Sequence, residues 1–320
     1  MGTGIIAIGN ALMDIFAFVG AELPESLGYK AETLSHLEAG RLDELISKLD
    51  KPAMLAGGGA ANTARAASLL GIGCSFVGTV GDDALGREYR RELEKSGIRG
   101  LLTVSARPTG VFCALIHPDG GRTILVAPGA APLVGEERLD FDRRRGDILY
   151  IDGFSLAGNR LLEEEGAKAR AAGMLVAIDL GSKLLVQTHR EALLEDIREY
   201  CDFVFANEDE FLSLGGSSIE ETCRYLSDFD CSFVVKKGER GAVFCRGGVR
   251  VESPVRAQEP LDETGAGDAF AAGYLAGFSR GFAPELCLRL GNRLAEEAIA
   301  VPGLALPSER IRHLRSSFGL

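Results

Sequence analysis

Asp262-Glu263-Thr264-Gly265-Ala266-Gly267-Asp268 runs directly into Ala269-Phe270-Ala271-Ala272-Gly273-Tyr274-Leu275-Ala276-Gly277-Phe278. The glycines of the opening heptad permit a tight turn, and the uncharged, small-residue stretch behind it reads as a buried helix beginning near Asp268. The first turn of such a helix has backbone N–H groups without partners and carries the positive end of the helix dipole, which suits it to cradle a phosphoryl group. Beside that cradle, Asp268 is placed to accept a proton from an attacking hydroxyl. An Asp that merely caps a helix gives the same Gly-Ala-Gly-Asp string. The whole heptad and the Ala/Gly-rich helix after it favour the chemical reading.

Upstream, short apolar runs alternate with longer helical patterns, the signature of βαβ units around a largely parallel sheet. Ile5–Ile8, Cys74–Val77, Ile148–Ile151, Leu175–Ile178, Phe203–Ala206, Phe233–Lys236 and Ala242–Cys245 are the expected strands. Ala61–Leu70, Ala84–Ser96, Asn159–Ala172, Arg190–Tyr200 and Ile219–Ser227 carry apolar residues at helical spacing, so helices are expected on both faces of the sheet. The rhythm breaks at residues 15–38 and 101–127. In the second of these, His117-Pro118-Asp119-Gly120-Gly121 has hairpin turn chemistry. The expectation is one α/β domain, a three-layer α/β/α sandwich, with a small β lid built from those two insertions.

Composition narrows the function. With 320 residues, 25% charged and 46% hydrophobic, the chain has an ordinary globular balance. A net charge of −11 argues against nucleic acid or an anionic membrane as partner, since both require a basic footprint. The run Arg143-Arg144-Arg145 is too short to reverse this and reads as a solvated turn. Seven cysteines, odd in number and without a C-x-x-C pair, suggest no disulfide framework and no zinc knuckle. Four scattered histidines offer no metal-binding spacing. No apolar run reaches membrane-spanning length, and Ile5–Gly9 is too short for a signal segment, so a cytoplasmic protein is expected.

Further motifs point to a small polar ligand. Gly57-Gly58-Gly59 lets the backbone approach closely, and Asn62 in the following Ala-rich helix offers both a donor and an acceptor to a polyol. Asn10 and Asp14 lie just after the first strand, where open α/β sheets bind ligands. Asp14 can accept hydrogen bonds from two neighbouring hydroxyls. Asn207-Glu208-Asp209-Glu210 follows a strand and is also an ordinary acidic helix start. Lys236-Lys237-Gly238-Glu239-Arg240-Gly241 is a turn between two strands, for which a plain hairpin is an equal reading.

The heptad resembles the C-terminal signature of the PfkB, or ribokinase, family of carbohydrate and nucleoside kinases, departing from it at Glu263, where Thr is more usual. The resemblance extends to Gly57-Gly58-x-x-x-Asn62, to Asn207-x-x-Glu210 and to the Val80-Gly81-Asp82 turn, and so spans nearly the whole chain. It implies a ribokinase-like fold, ATP as donor and Mg²⁺ as its companion, and transfer of the γ-phosphoryl group to a hydroxymethyl group. It further implies Asp268 as general base, with Gly265, Ala266 and Gly267 as the anion hole. Asn10, Asp14, Gly57, Gly58 and Asn62, with Arg122 on the lid, are implied on the acceptor. Asn207, Glu210, Lys237, Gly238, Gly241, Thr264 and Asn292 are implied on the nucleotide side, Glu210 reaching Mg²⁺ through water. The start Gly9-Asn10-x-x-x-Asp14 and the passage Leu27–Leu37 resemble the adenosine-kinase-like branch, which favours a nucleoside acceptor and calls for an apolar wall. Phe16, Phe112 and Phe154 are the candidates for that wall. Ribose, fructose and similar sugars stay open, as does a catalytically silent binding protein on the same fold. The partner is a small molecule in each case, and the expected assembly is a monomer or homodimer.

Two other nucleotide-binding classes fail on residues. Gly9 is followed by Asn10 and Ala11, which is not a dinucleotide fingerprint, and no Gly-Lys pair occurs for a P-loop.

Overall fold

The computed structural model describes residues 3–20, 22–38, 40–134, 139, 141, 146–156, 160–255 and 258–320. Its strands are β1 (Ile5–Ile8), β2 (Leu12–Phe18), β3 (Leu34–His36), β4 (Ala53–Gly57), β5 (Cys74–Gly81), β6 (Arg99–Ser105), β7 (Gly110–Ile116), β8 (Arg122–Ala127), β9 (Ile148–Asp152), β10 (Leu175–Asp179), β11 (Phe203–Asn207), β12 (Ser232–Lys236), β13 (Ala242–Arg246) and β14 (Val249–Ser253). A nine-stranded sheet has the order β14-β13-β12-β11-β10-β9-β1-β5-β6. From β6 to β12 all neighbours are parallel, and β13 and β14 add an antiparallel edge.

Strand parity builds the three layers. Successive side chains of a strand point to opposite faces. Ile5, Ala7, Tyr150, Ala177, Phe205 and Val234 enter a core shared with the helices Gly59–Leu69, Ala266–Ser279 and Pro284–Ala298. Their neighbours Ile6, Ile8, Leu149, Ile178, Val204 and Val235 enter a second core under the helices Lys183–Tyr200 and Glu208–Gly215. Both faces being buried explains why these strands read as unbroken apolar runs. The expected three-layer α/β/α fold is the one observed.

A five-stranded sheet of order β3-β8-β7-β2-β4 lies beyond the C-terminal end of β1, reached by the turn Gly9–Ala11. It takes in β4, which lies outside the expected insertions. Residues of β6, expected in the second insertion, instead pair parallel with β5 in the large sheet, because the helix Ala84–Lys95 makes a βαβ crossover between them.

Two helical expectations shift. The helix expected over Arg190–Tyr200 starts at Lys183, and non-helical backbone at His189 hides the continuity from the sequence. The described part of the one expected over Asn159–Ala172 is a π-turn, Leu162–Gly166, continued as α-helix Ala167–Ala171. The Arg143–Arg145 run lies outside the described residues.

The cysteine reading is corrected at one pair: Cys223, on the helix Ile219–Tyr225, and Cys245, on β13, form a disulfide with their Cα atoms 6.1 Å apart. They are 22 residues apart in sequence and the fold alone brings them together. Cys74, Cys113, Cys201, Cys231 and Cys287 are free and buried. Among the described residues, no helix is long and apolar enough to cross a membrane.

Candidate active site

Four strands of the large sheet end in polar residues at the same edge: Asp152, Asp179, Asn207 and Lys236. In register, Asp152 stands beside Asp179 and Asn207 beside Lys236. Each lies two positions beyond a residue of the first core (Tyr150, Ala177, Phe205, Val234), so all four project toward the helix Ala266–Ser279. That helix starts at this edge. Gly265 takes the left-handed conformation (φ 77°) as its N-cap, and Asp268 falls in its first turn.

The segment Glu263–Asp268 separates two cavities. The first, of about 530 Å³, has Asn10, Asp14, Asn62, Asp152, Asp179 and Asp268 at its polar end. Thr264 and Gly265 also line it, and its apolar side is formed by Leu34, Phe112, Val126, Pro132 and Phe154. The second, of about 630 Å³, is bounded by Asn207, Lys236, Gly238, Gly241, Gly267 and Asn292.

Gly58 and Gly59 line the first cavity's floor, and Gly57 backs Asp14 behind it. A Cβ on Gly57 would stand 1.9 Å from the Asp14 carboxyl carbon, and one on Gly58 (φ 90°) 2.0 Å from the Asn10 carbonyl oxygen. Real Cβ atoms do not tolerate such contacts. A Cβ on Gly59 would lie 3.4 Å from Asp268 Oδ1, which puts the Asp268 carboxylate directly over the start of the helix Gly59–Leu69. From that helix, Asn62 Oδ1 accepts from Arg65 Nη1 (3.3 Å), which also donates to Ala56 O (3.2 Å). Asn10 Oδ1 is buried without a protein partner, an acceptor left for a ligand.

The electrostatics are those of a desolvated acid cluster. Burial pushes Asp268 up to about 7, the nearby Asp179 adding to this while Lys236 and Asn62 oppose it. Burial likewise lifts Asp14 to about 7, against the pull of Arg65 and Asn62. Asp152 rises to about 6 by burial, moderated by the N–H groups of Phe154 and Asn10. A buried carboxylate that lines a cavity and titrates near neutrality has the protonation behaviour a general base requires.

The nucleotide-side expectations separate into two groups. Gly238 and Gly241 line the second cavity with left-handed backbone (φ 57° and 83°). Asn292 lines it as well, while donating to Ser253 O at 3.0 Å. Asn207 and Glu210 form a reciprocal capping box: the Asn207 side chain accepts from Glu210 N (2.9 Å), and Glu210 Oε2 accepts from Asn207 N (2.8 Å). Asn207 Nδ2 donates to the other Glu210 oxygen (2.8 Å), so both carboxylate oxygens are taken. Lys237 turns away and pairs with Glu252 of β14 (3.1 Å); it is Lys236 that reaches the cavity. Thr264 lies on the first cavity, not the second.

Arg122 of β8 pairs with Asp262 (2.5 Å), tying the small sheet to the heptad. The Asp262 carboxylate also accepts from Thr264 N and Gly303 N, both at 2.9 Å, and so folds the loop that carries Gly265. Phe112 and Phe154 line the first cavity. Phe16 instead packs against Gly303. Sequence reasoning missed Asp152, Asp179 and Lys236. The signal that finds them is strand parity: a polar side chain closing an apolar strand on the face where the helix Ala266–Ser279 begins.

Comparison with known proteins identifies the family. The profile of the pfkB family carbohydrate kinases matches residues 23–311. The cytidine kinase of Thermococcus kodakarensis is 30% identical over 267 residues, covering 81% of this chain and 92% of that protein. The ATP-dependent ribose-1-phosphate kinase of Halopiger xanaduensis is 36% identical over 227 residues, covering 69% and 72%. The crystal structure of adenosine kinase from Sinorhizobium meliloti superposes with a TM-score of 0.84 at 29% identity, over 99% of this chain and 100% of that one. The chain belongs to the pfkB family of carbohydrate kinases, phosphotransferases acting on hydroxyl groups of sugars and nucleosides.

Proposed function

We propose that this protein is an ATP-dependent nucleoside kinase of the cytoplasm that phosphorylates a hydroxymethyl group, with an adenosine-like nucleoside as acceptor. The observation that carries the reading is Asp268: it stands in the wall common to the two cavities, facing Asp14 and Asn62 on one side and adjoining the Gly265–Gly267 backbone. One cavity has the polar floor and apolar wall of a nucleoside site, the other the glycine-lined wall of a nucleotide site. A free pentose has no apolar face to match Leu34, Phe112, Val126 and Phe154, and a base does. The polar floor, with Asn10, Asp14 and Asn62, serves ribose hydroxyls equally in a free sugar, which is what keeps a sugar acceptor as the second reading.

In this mechanism Asp14 and Asn62 orient the acceptor, and the Asp268 carboxylate takes the proton of its primary hydroxyl. The N–H groups around Gly265–Gly267 hold the phosphoryl oxygens. The small sheet acts as a lid that excludes water.

The fit to a magnesium nucleotide is a cradle of backbone rather than a cage of acids. Among the described residues, no three His, Cys, Asp or Glu side chains converge as a metal site. With each oxygen already accepting one hydrogen bond from Asn207, Glu210 would reach a metal through water. Magnesium bound with the nucleotide supplies charge neutralisation on the phosphoryl oxygens.

The test is ADP release with Mg-ATP across nucleosides (adenosine, cytidine) and sugars (ribose, fructose, ribose 1-phosphate). A nucleoside should lead in kcat/KM by roughly tenfold or more, the scale of a filled apolar wall. Preference for a bare sugar refutes the nucleoside assignment. Thermal stabilisation by acceptors without any turnover marks a silent binder instead.

A further inference from the structure

Lys236 is a cation between the two cavities. It closes β12 on the face of Val234, pointing at the helix Ala266–Ser279, whereas Lys237 has the opposite parity and pairs with Glu252. Its side chain is largely buried (18% exposed), and Nζ lies 2.6 Å from Asp179 Oδ2. Asp179 lines the acceptor cavity, and Lys236 lines the nucleotide cavity. A Cβ on Gly267 would stand 3.2 Å from Lys236 Nζ, so the ammonium lies beside the start of the helix Ala266–Ser279, the end that carries the positive pole of its dipole. Burial works against the ammonium, but Asp179, then Glu210 and Asp268, leave its pKa raised, and it stays charged.

An ammonium has three donors on a flexible stem and can hold one partner while recruiting another. We propose that Lys236 contacts the phosphoryl group in transit, keeping one N–H on Asp179 and giving another to an equatorial phosphoryl oxygen. This rests on the kinase reading above and adds a catalytic residue to it. In the step, the acceptor oxygen bonds to phosphorus as the bond from phosphorus to the oxygen of the departing nucleoside diphosphate breaks. The hydroxyl proton goes to Asp268, and Lys236 remains an ammonium throughout. Because its anchor faces the acceptor, the cation stays against the phosphoryl group from one cavity to the other. A helix terminus alone cannot do this, since its dipole is fixed.

The experiment compares wild type, Lys236→Met and Lys236→Arg by calorimetry with AMP-PNP and with ADP, and by kcat and acceptor KM. Lys236→Met should weaken AMP-PNP by roughly 10- to 100-fold, the scale of a hydrogen bond between charged groups, with ADP changed by less than about threefold. Its kcat should fall by about 10²-fold or more with acceptor KM little changed, and Lys236→Arg should recover part of both losses. Should Lys236→Met fail to fold around an unpaired Asp179, the double variant Lys236→Met/Asp179→Asn removes both charges and is read on the AMP-PNP and ADP comparison alone. Wild-type discrimination between AMP-PNP and ADP in a folded variant, or an undiminished kcat, overturns the proposal. A wild-type protein inactive on every acceptor refutes the kinase reading instead, and the nucleotide comparison still reports on Lys236.

Discussion

Asp268→Asn should inactivate the enzyme and stabilise the fold, and the two effects come from one cause. The substitution keeps the side chain's shape and removes its charge. Burial, with Asp179 alongside, raises the Asp268 carboxyl from 3.8 to about 7. An acid whose pKa is higher folded than unfolded binds its proton more tightly when folded, so ionising it costs stability. That cost begins above about pH 4 and is complete above about pH 7. At 1.36 kcal/mol per tenfold change in proton affinity it is on the order of 4 kcal/mol at pH 8, an upper figure because Asp14, Asp152 and Asp179 share the same field. The Asn variant escapes it. Its Tm should exceed that of wild type by several degrees at pH 8, with the gap closing toward pH 5. Loss of the general base should lower kcat by roughly 10²- to 10⁴-fold with acceptor binding retained. Differential scanning fluorimetry from pH 5 to pH 8 and coupled ADP release read the two effects. Wild-type turnover excludes Asp268 as the base, and a variant whose instability grows with pH excludes a buried, raised carboxyl at this position.

Three further outcomes are expected. Asp14→Ala should raise the acceptor KM by roughly 10- to 100-fold before it affects kcat, the scale of charged hydrogen bonds; an unchanged KM removes Asp14 from the acceptor site. Gly57→Ala drives a methyl into the Asp14 carboxyl, 1.9 Å away, and should abolish acceptor stabilisation in a thermal-shift assay while nucleotide stabilisation persists; equal retention of both contradicts it. Reduction of Cys223–Cys245, which closes a loop of 22 residues, should lower stability by about 3 kcal/mol in urea titrations, and an unchanged midpoint would show that the bridge adds nothing.

What the sequence disclosed followed from burial. All seven strands read from apolar runs are present in the nine-stranded sheet, because β1 and β9 to β12 are covered on both faces and carry little polar interruption. β6 and β14 escaped because they are edge-proximal and half exposed, so their patterns are neither continuous nor cleanly alternating. β4 reads only as Ala53–Gly57 before a glycine run, and its place in the small sheet comes from pairing with β2. Asp268, Asp14, Asn10 and Asn62 were legible because each stands beside glycines whose spacing has a mechanical reason. Asp152, Asp179 and Lys236 have no such marker, and only the parallel register gathers them at one edge. Lys236 and Lys237 differ by a single residue, and period-two geometry sends one to the cavity and the other to Glu252.

In the proposed reaction the carboxylate at position 268 delivers a primary hydroxyl to a phosphoryl group held on the helix start. Phosphorus-31 NMR of the product formed from Mg-ATP and the preferred acceptor reads this directly. A new phosphomonoester resonance coupled to the two protons of a CH₂ group, growing at least about 10²-fold more slowly with Asp268→Asn, is the predicted spectrum. Inorganic phosphate alone, or an ester on a secondary hydroxyl, contradicts it.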